Sequence, residues 1–301
     1  MSDWGSDPDA RRRLQRLIFR CASDFLLDEI GVLTARHDGD FIRAVTWLAL
    51  VQASADPDRG ISVRALARSL NLPFETVRRK VHDLEEAGLC IAAGDGRPLA
   101  APVTEAAAQA EATRVCEAFS LLLGNLSALG VSPATFCGGA LPAPAAPGAQ
   151  ARARIAAHRL IHNYFLRTLE AGVEPHETMF NALVFAAAMS ANAQRITYDP
   201  TLALRYAGAD TPPPNELRRP ARPREISERL NLPYEVVRRR LVEFQERGWV
   251  FKSGSGYLCA VERMQDPALL AGAYMIVLRL GQLVHSVAQA GLAMEARAAA
   301  A

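Results

Sequence analysis

Residues 70–81 read LNLPFETVRRKV, and residues 230–241 read LNLPYEVVRRRL. Extended to the glycine that follows each copy, about half of the aligned positions in 71–88 and 231–248 are identical. That is too much identity for chance in so short a window. The sequence therefore predicts an internal duplication.

Each copy has the pattern of a tight turn followed by an amphipathic helix. In the first copy, Val77, Val81 and Leu84 recur at i, i+4 and i+7 and form an apolar stripe. Asn71 suits a turn with left-handed backbone angles, and Pro73 suits the first helical position. Gly88 is typical of a left-handed helix cap. The matching residues of the second copy are Asn231, Pro233, Val237, Leu241, Phe244 and Gly248, and the short helices before the two turns contribute Leu66 and Leu70, then Ile226 and Leu230.

The residues around the two copies follow one plan. Helix-forming residues with apolar side chains every three or four positions dominate the chain, so the fold class is predicted to be mainly α. In each half a long amphipathic helix, an apolar helix, a short helix, the turn, a second helix, a hairpin and a long apolar helix are predicted. The flanking segments are 11–30, 40–54, 63–70, 89–103 and 104–129 in the first half, and 153–172, 176–192, 224–230, 249–261 and 266–291 in the second.

A change in composition separates the two halves. The stretch FCGGALPAPAAPGAQ, residues 136–150, has no charge and no apolar period, and is predicted to be a linker between a domain at 1–135 and a domain at 151–301. The second half carries an insertion at about 197–222, and its prolines disfavour regular structure over 211–223.

Two helices joined by a tight turn and followed by a hairpin describe a winged helix-turn-helix. In that motif the start of the second helix enters the major groove of DNA. Arginine can pair with guanine, glutamate can accept from cytosine, and a methyl group can touch thymine. The candidate DNA-binding residues are therefore Phe74, Glu75, Thr76, Arg78, Arg79, Lys80 and His82 in the first copy, and Tyr234, Glu235, Val236, Arg238, Arg239 and Arg240 in the second, with Lys80 and Arg240 assigned to phosphate.

Four further basic residues lie near the two motifs. Arg97 and Lys252 fall in the two hairpins. The stretch RRPARPR, residues 218–224, places Arg222 and Arg224 in an extended segment ahead of the second short helix. Prolines keep such a segment extended, with its side chains predicted to be free for phosphate or the minor groove, although a solvated loop is the alternative.

Over about forty residues, ISVRALARSLNLPFETVRRKVHDLEEAGLCIAAGDGRP resembles the winged helix-turn-helix of bacterial MarR and IclR regulators. The long flanking helices resemble the MarR arrangement, in which they form a dimer interface and can line an effector pocket. MarR subunits carry one motif and pair, whereas this chain carries two. The resemblance therefore implies a pseudo-two-fold helical interface within a single chain, with a monomer or a homodimer both left open.

The bulk properties fit a cytoplasmic protein. A net charge of +2 over 301 residues argues neither for nor against nucleic acid. No secretory signal opens the chain, and no uninterrupted apolar run is expected to span a bilayer. The five cysteines are scattered without a CxxC pair, as in proteins with reduced thiols.

Other kinds of site have weaker support in the sequence. His158 and His162 have a spacing that can chelate a metal, but nothing beside them in the sequence completes a site, so no metal or cofactor is predicted. No catalytic constellation is present, so an enzyme is not expected. A small-molecule effector is possible, and the aromatic and methionine side chains that could line its cavity are Phe25, Phe41, Trp47, Tyr164, Phe165, Met179, Phe180 and Phe185.

The preferred function is a sequence-specific regulator of transcription that binds double-stranded DNA and reads an imperfect palindrome through two recognition helices. A plasmid-type replication initiator, which also carries two winged helices, is an alternative. A scaffold whose winged helices bind protein is another, although the retained arginine pairs speak against it.

Overall fold

The computed structural model describes residues 8–54, 60–93, 96–137 and 140–294. These residues are mostly helical, with two short antiparallel hairpins, which confirms the prediction of a mainly α protein. Every long helix expected from the apolar pattern is present.

The first half runs from a long helix to another long helix with a hairpin between them. Its elements are α1 (Pro8–Ala35), α2 (Phe41–Ala53), α3 (Val63–Ser69), α4 (Phe74–Glu86), β1 (Cys90–Ala92), β2 (Pro98–Ala100), α5 (Glu105–Ala128) and the short α6 (Pro133–Phe136). The turn between β1 and β2 includes residues 94 and 95, which lie outside the described residues.

The second half repeats this order with additional short helices. Its elements are α7 (Gln150–Ala171), α8 (Val173–His176), α9 (Met179–Tyr198), α10 (Pro200–Arg205), α11 (Pro223–Leu230), α12 (Tyr234–Glu246), β3 (Val250–Ser253), β4 (Gly256–Cys259), α13 (Val261–Met264) and α14 (Pro267–Gln289). The short helices α6, α8, α10 and α13 were not expected, because one turn of helix leaves no periodic pattern.

Corresponding helices begin in the same way in the two halves. Asp40 caps α2 by accepting a hydrogen bond from the backbone N–H of Arg43, and Thr178 caps α9 by accepting one from Asn181. Each side chain satisfies a donor that the first helical turn leaves unpaired.

The four long helices bring the two halves together. α1 contacts both α5 and α14, and α7 contacts the same two helices. α1 also lies against α9 and α11, whereas α7 lies against α2. The ring of Phe25 in α1 is 5.9 Å from that of Phe119 in α5 and 5.2 Å from that of Phe165 in α7. The boundaries at 135 and 151 therefore mark the repeat in the sequence, and the described parts of both halves share one hydrophobic core.

The last long helix, α14, is strongly apolar. By length and composition α14 could cross a membrane, although no uninterrupted apolar run of that length was expected from the sequence. In this fold the buried side chains of α14, including Val277, Leu280 and Val284, pack in the core against α1 and α7.

The predicted linker has little regular structure but is held in place. Residues 140–146 have none, and a 3₁₀ turn at Pro147–Ala149 leads into α7, while Gly138 and Gly139 lie outside the described residues. The backbone N–H of Ala145 donates to the carbonyl of Gly291 at 2.9 Å, and the Gln150 side chain donates to the same carbonyl at 3.0 Å.

The insertion in the second half is more ordered than its prolines suggested. After α10, the carbonyl of Ala207 accepts a hydrogen bond from the N–H of Arg16 at 2.8 Å. Over 211–222 the backbone is irregular apart from a 3₁₀ turn at Asn215–Leu217 and a bridge from Ala221 to Tyr257, and Pro223 begins α11. Gly256 is required beside this bridge, because a Cβ there would lie 2.6 Å from the carbonyl oxygen of Ala221. The insertion thus folds back on α1 and on the second hairpin.

Candidate nucleic-acid interface

The turn before each second helix has the same backbone geometry in both copies. Asn71 has φ of 51° and Asn231 has φ of 50°, which confirms the expected left-handed conformation. One residue later, the N–H of Leu72 donates to Ala67 and that of Leu232 donates to Ser227, both at 3.0 Å. Prolines 73 and 233 lie at the N-cap, one residue before the predicted position, because their ψ angles are still extended.

The apolar stripes of α4 and α12 are buried. Val77 and Leu84 in α4 are fully enclosed, as are Val237 and Leu241 in α12. After each helix a glycine, Gly88 or Gly248, adopts a positive φ and ends the helix as predicted. Burial of the stripe fixes the rotation of each helix, so the opposite face, with its charged side chains, points outward.

The second strand of each hairpin is bound to the preceding apolar helix at corresponding positions. The Ser54 hydroxyl after α2 accepts a hydrogen bond from the N–H of Ala100 at 2.9 Å. In α9, the Asn192 side-chain oxygen accepts one from the N–H of Cys259 at 2.8 Å, and its amide donates to Tyr257. Sequence reasoning missed both residues, because a polar side chain in or just after an apolar helix gives no sign of its partner.

The exposed face of the second helix carries the same charge arrangement twice. Glu75 accepts from Arg78 at 2.9 Å, and Glu235 accepts from Arg238 at 2.9 Å. Arg79 and Arg239 are exposed, and within the described part of the chain their side chains form no hydrogen bond or ion pair. These two guanidinium groups are therefore the most available donors on α4 and α12.

The third basic residue of each run has a different environment from the first two. The Lys80 ammonium binds Asp40 at 2.6 Å and Asp83 at 2.9 Å, and only 14% of its side chain is exposed. Burial opposes its charge, but the hydrogen bonds to the two carboxylates outweigh burial and raise the pKa of Lys80. Arg240 pairs with Glu243 and lies over the ring of Phe180, with 30% of its side chain exposed. Both cations already have hydrogen-bonded partners, whereas Arg79 and Arg239 have none among the residues that the structure describes.

The remaining candidate residues of the two helices lie around the exposed face. Phe74 and Tyr234 are 41% and 45% exposed at the helix starts, and Thr76 and Val236 are half-buried. His82 is exposed near Glu85 and Glu86. The differing positions of Phe74, Thr76 and His82 thus lie on or beside the outward surface.

The hairpins contribute one exposed basic residue each. Lys252 is exposed on β3, opposite Tyr257 in the strand register. Arg97 precedes β2 and is exposed, with its guanidinium 3.4 Å from the carbonyl oxygen of Gly60.

The basic segment 218–224 is only partly as expected. Its backbone is extended at Arg218 and Arg222, but the expectation that all its side chains are free was wrong. Arg218 is 5% exposed and donates to the carbonyl of Cys259, and Arg219 pairs with Glu225. The insertion folds against the second hairpin, so both guanidinium groups have partners within the protein. Arg222 and Arg224 are exposed, and Arg224 pairs with Glu228 at 3.0 Å.

The structure has an apolar cavity, but the residues predicted to line an effector cavity do not line it. It has about 880 Å³ of empty space including its open mouth, and it lies between α1, α7, α8, α9, α13 and α14. Its lining includes Phe19, Leu27, His176, Met189 and Ile276. None of the aromatic and methionine residues proposed from the sequence lines this cavity; most are buried in the core, and Trp47 and Phe180 are half-buried. Which core residues border a void depends on helix packing, which the sequence does not specify.

The cysteines have the properties of structural thiols. Burial raises the pKa of Cys90 to about 11 and that of Cys259 to about 12. A thiol with a raised pKa stays protonated near pH 7 and is a poor nucleophile.

No family model, curated protein or solved structure matches the chain. The resemblance to MarR and IclR regulators therefore stays a prediction.

Proposed function

We propose that this chain is a sequence-specific double-stranded DNA-binding regulator of transcription, built from two winged helix-turn-helix units in one polypeptide. The observation that carries the proposal is the pair of outward faces on α4 and α12. Each follows a left-handed asparagine turn, each buries its apolar stripe, and each presents a Glu–Arg pair and, at matching positions, an exposed arginine that forms no hydrogen bond or ion pair with the described residues.

In this proposal α4 and α12 are the recognition helices. Arg79 and Arg239 reach base edges, since a guanidinium can donate two hydrogen bonds to guanine in the major groove. Arg78 and Arg238 are held by their glutamates and form a positioned donor–acceptor pair. The hairpins, with Arg97 and Lys252, serve as wings beside the DNA backbone.

The differences between the copies would give the two units different DNA sequence specificities. Phe74 corresponds to Tyr234, Thr76 to Val236, and His82 to Val242. A homodimer presents identical helices to its two half-sites, whereas one chain with two copies does not. We therefore propose that the two units read different half-sites, about one helical turn (~10 bp) apart.

The direct test is binding of the purified chain to duplex DNA across a range of salt concentrations. Specific binding with several phosphate contacts falls steeply as salt rises, because counterions are released on binding. Fluorescence anisotropy with a selected duplex and a scrambled duplex of equal length separates specific from general binding. No binding at low salt, or equal affinity for the two duplexes, would contradict the proposal.

The apolar cavity supports a further part of the proposal, a small apolar effector. Its walls come from both halves, so a bound molecule would contact α1 as well as α9 and α14. Gly272 lines the cavity, and a Cβ there would meet nothing closer than 3.8 Å. We expect Gly272→Leu to reduce binding of an apolar fluorescent probe while the protein stays folded by circular dichroism. Unchanged probe binding would remove the cavity as the effector site.

A further inference from the structure

Three potential metal ligands from two helices converge beside the first half of the bundle. Glu111 in α5 and His158 and His162 in α7 each offer a ligand atom, and these atoms lie within 4.8 Å of one another. The sequence revealed only the two histidines, one helical turn apart. The packing of α5 against α7 supplies the carboxylate that the local sequence lacks.

The two histidines have nitrogens without partners. Their rings are 4.0 Å apart between centroids. Nε2 of His158 and Nδ1 of His162 are buried and form no hydrogen bond within the described part of the chain, and His162 is only 6% exposed. A buried polar atom without a partner is costly, so such atoms commonly have a ligand or a function.

Glu111 is charged and retains an acceptor position. Burial opposes its ionisation, but hydrogen bonds from Arg114 and Arg36 bring its pKa down to about 2. Its two oxygens accept one bond from Arg36 and two from Arg114. A carboxylate has about four lone-pair sites, so one site remains for a metal ion.

Charged groups of both signs surround the three ligands. Arg114 also forms a two-pronged pair with Glu29, at 2.8 and 2.7 Å. Arg36 and Arg114 therefore face two carboxylates, Glu29 and Glu111, and Arg159 is a third cation close enough to act on His158. A small cavity with both polar and apolar lining, including Glu29, Arg36, Glu111 and His162, lies beside two of the three ligands.

We propose that Glu111, His158 and His162 bind a divalent transition metal ion of the zinc class, joining α5 of the first half to α7 of the second. Two imidazoles and one carboxylate suit zinc, cobalt or nickel, whereas magnesium and calcium prefer sites made only of oxygen. Ligand atoms lie ~2.0–2.2 Å from bound zinc, so the side chains would close in by roughly 1 Å. The ion would stabilise the folded chain, because the unfolded chain does not assemble the ligands.

The test is calorimetric titration of the full-length, chelator-treated protein with zinc chloride. We expect one zinc ion per chain, and a loss of affinity of more than about tenfold in His158→Gln. The matched control is His285→Gln on α14, an exposed histidine paired with Gln289, which should bind zinc as the wild type does. Failure of the wild type to bind one zinc ion, or unchanged affinity in His158→Gln, would overturn the proposal.

A second measurement uses the wild-type protein alone and does not depend on how a variant folds. Cobalt chloride should produce visible absorption bands of a cobalt ion bound by nitrogen and oxygen, and zinc should displace it. An intense near-ultraviolet band from a cobalt–thiolate bond would place the ion at a cysteine and overturn the assignment.

Discussion

At the scale of single residues, neighbouring basic side chains in the two basic runs have different environments. Arg79 and Arg239 are exposed and form no side-chain pair within the described residues, whereas Lys80 and Arg240 are bound to nearby carboxylates. Lys80 binds the same aspartate that caps α2, so it anchors α4 to α2. The sequence RRK or RRR cannot distinguish these roles, because the partners of the third residue come from elsewhere in the fold.

The first prediction concerns Arg79 and Arg239. Alanine at either position should weaken specific binding by ~1–3 kcal/mol, and each variant should relax preference at a different half-site. Competition against duplexes with single base-pair changes measures both effects. Arg167→Ala is the control, since it removes the same charge from the exposed surface of α7. Equal loss at both half-sites from either variant would contradict the model of one chain and two half-sites.

At the scale of elements, the two units are attached to the bundle differently. α11 lies against α1, where Arg229 pairs with Asp28 at 2.7 Å and with Asp24 at 3.2 Å. The two helices approach closely because residue 31 is glycine. A Cβ at Gly31 would lie 2.1 Å from the carbonyl oxygen of Arg229 and would prevent this contact. In the first copy, the residue that corresponds to Arg229 is Ser69. Its hydroxyl donates a hydrogen bond to the carbonyl of Leu66 in its own helix. The second unit is therefore fixed to α1 by contacts that the first unit does not repeat.

The second prediction tests this difference at the two turn asparagines. Asn71→Ala should destabilise the fold by roughly 1–2 kcal/mol, because alanine disfavours the left-handed conformation. Asn231→Ala should cost about 1 kcal/mol more, since the Asn231 side chain also donates to the carbonyl of Gly31 at 3.1 Å. Chemical denaturation measures the free energy of unfolding.

Glycine substitutions are the controls for that comparison. Asn71→Gly should have little effect, because glycine accepts a positive φ, whereas Asn231→Gly should still lose the bond to Gly31. Equal losses for the two glycine variants would show that the contact with α1 does not stabilise the fold.

The elements with a strong periodic pattern were predictable from the sequence, and their partners were not. Val77, Val81 and Leu84 indicate the helix, its buried face and its exposed face together. By contrast, the burial of Arg218, the pairing of Lys80 and the convergence of Glu111 on two histidines depend on segments distant in the chain. Only three-dimensional packing brings these groups together, and one sequence contains no record of it.

At the scale of the whole molecule, the two halves form one body. α1 packs on helices of the second half, α7 packs on helices of the first, and the described core is continuous. Buried histidines in this core make its stability depend on pH. Burial lowers the pKa of His37 and of His176 to about 4, in each case with a smaller contribution from a nearby arginine.

The third prediction is that the free energy of unfolding falls as pH decreases from about 6.5 towards 4. In that window the unfolded chain, with an ordinary histidine pKa near 6.5, takes up protons that the folded chain does not bind. Each histidine contributes a slope of up to about 1.4 kcal/mol per pH unit. Denaturation at several pH values measures the slope, and His176→Leu should make it shallower. An unchanged slope in that variant would rule out His176 as a contributor.

Whether one chain reads two different half-sites is best decided by selecting bound duplexes from a random DNA library and measuring the mass of the complex with the selected duplex. We expect an imperfectly symmetric site, with half-sites about one helical turn (~10 bp) apart, occupied by a single chain. An absence of enriched sequence, or a perfect palindrome occupied by two chains, would contradict it.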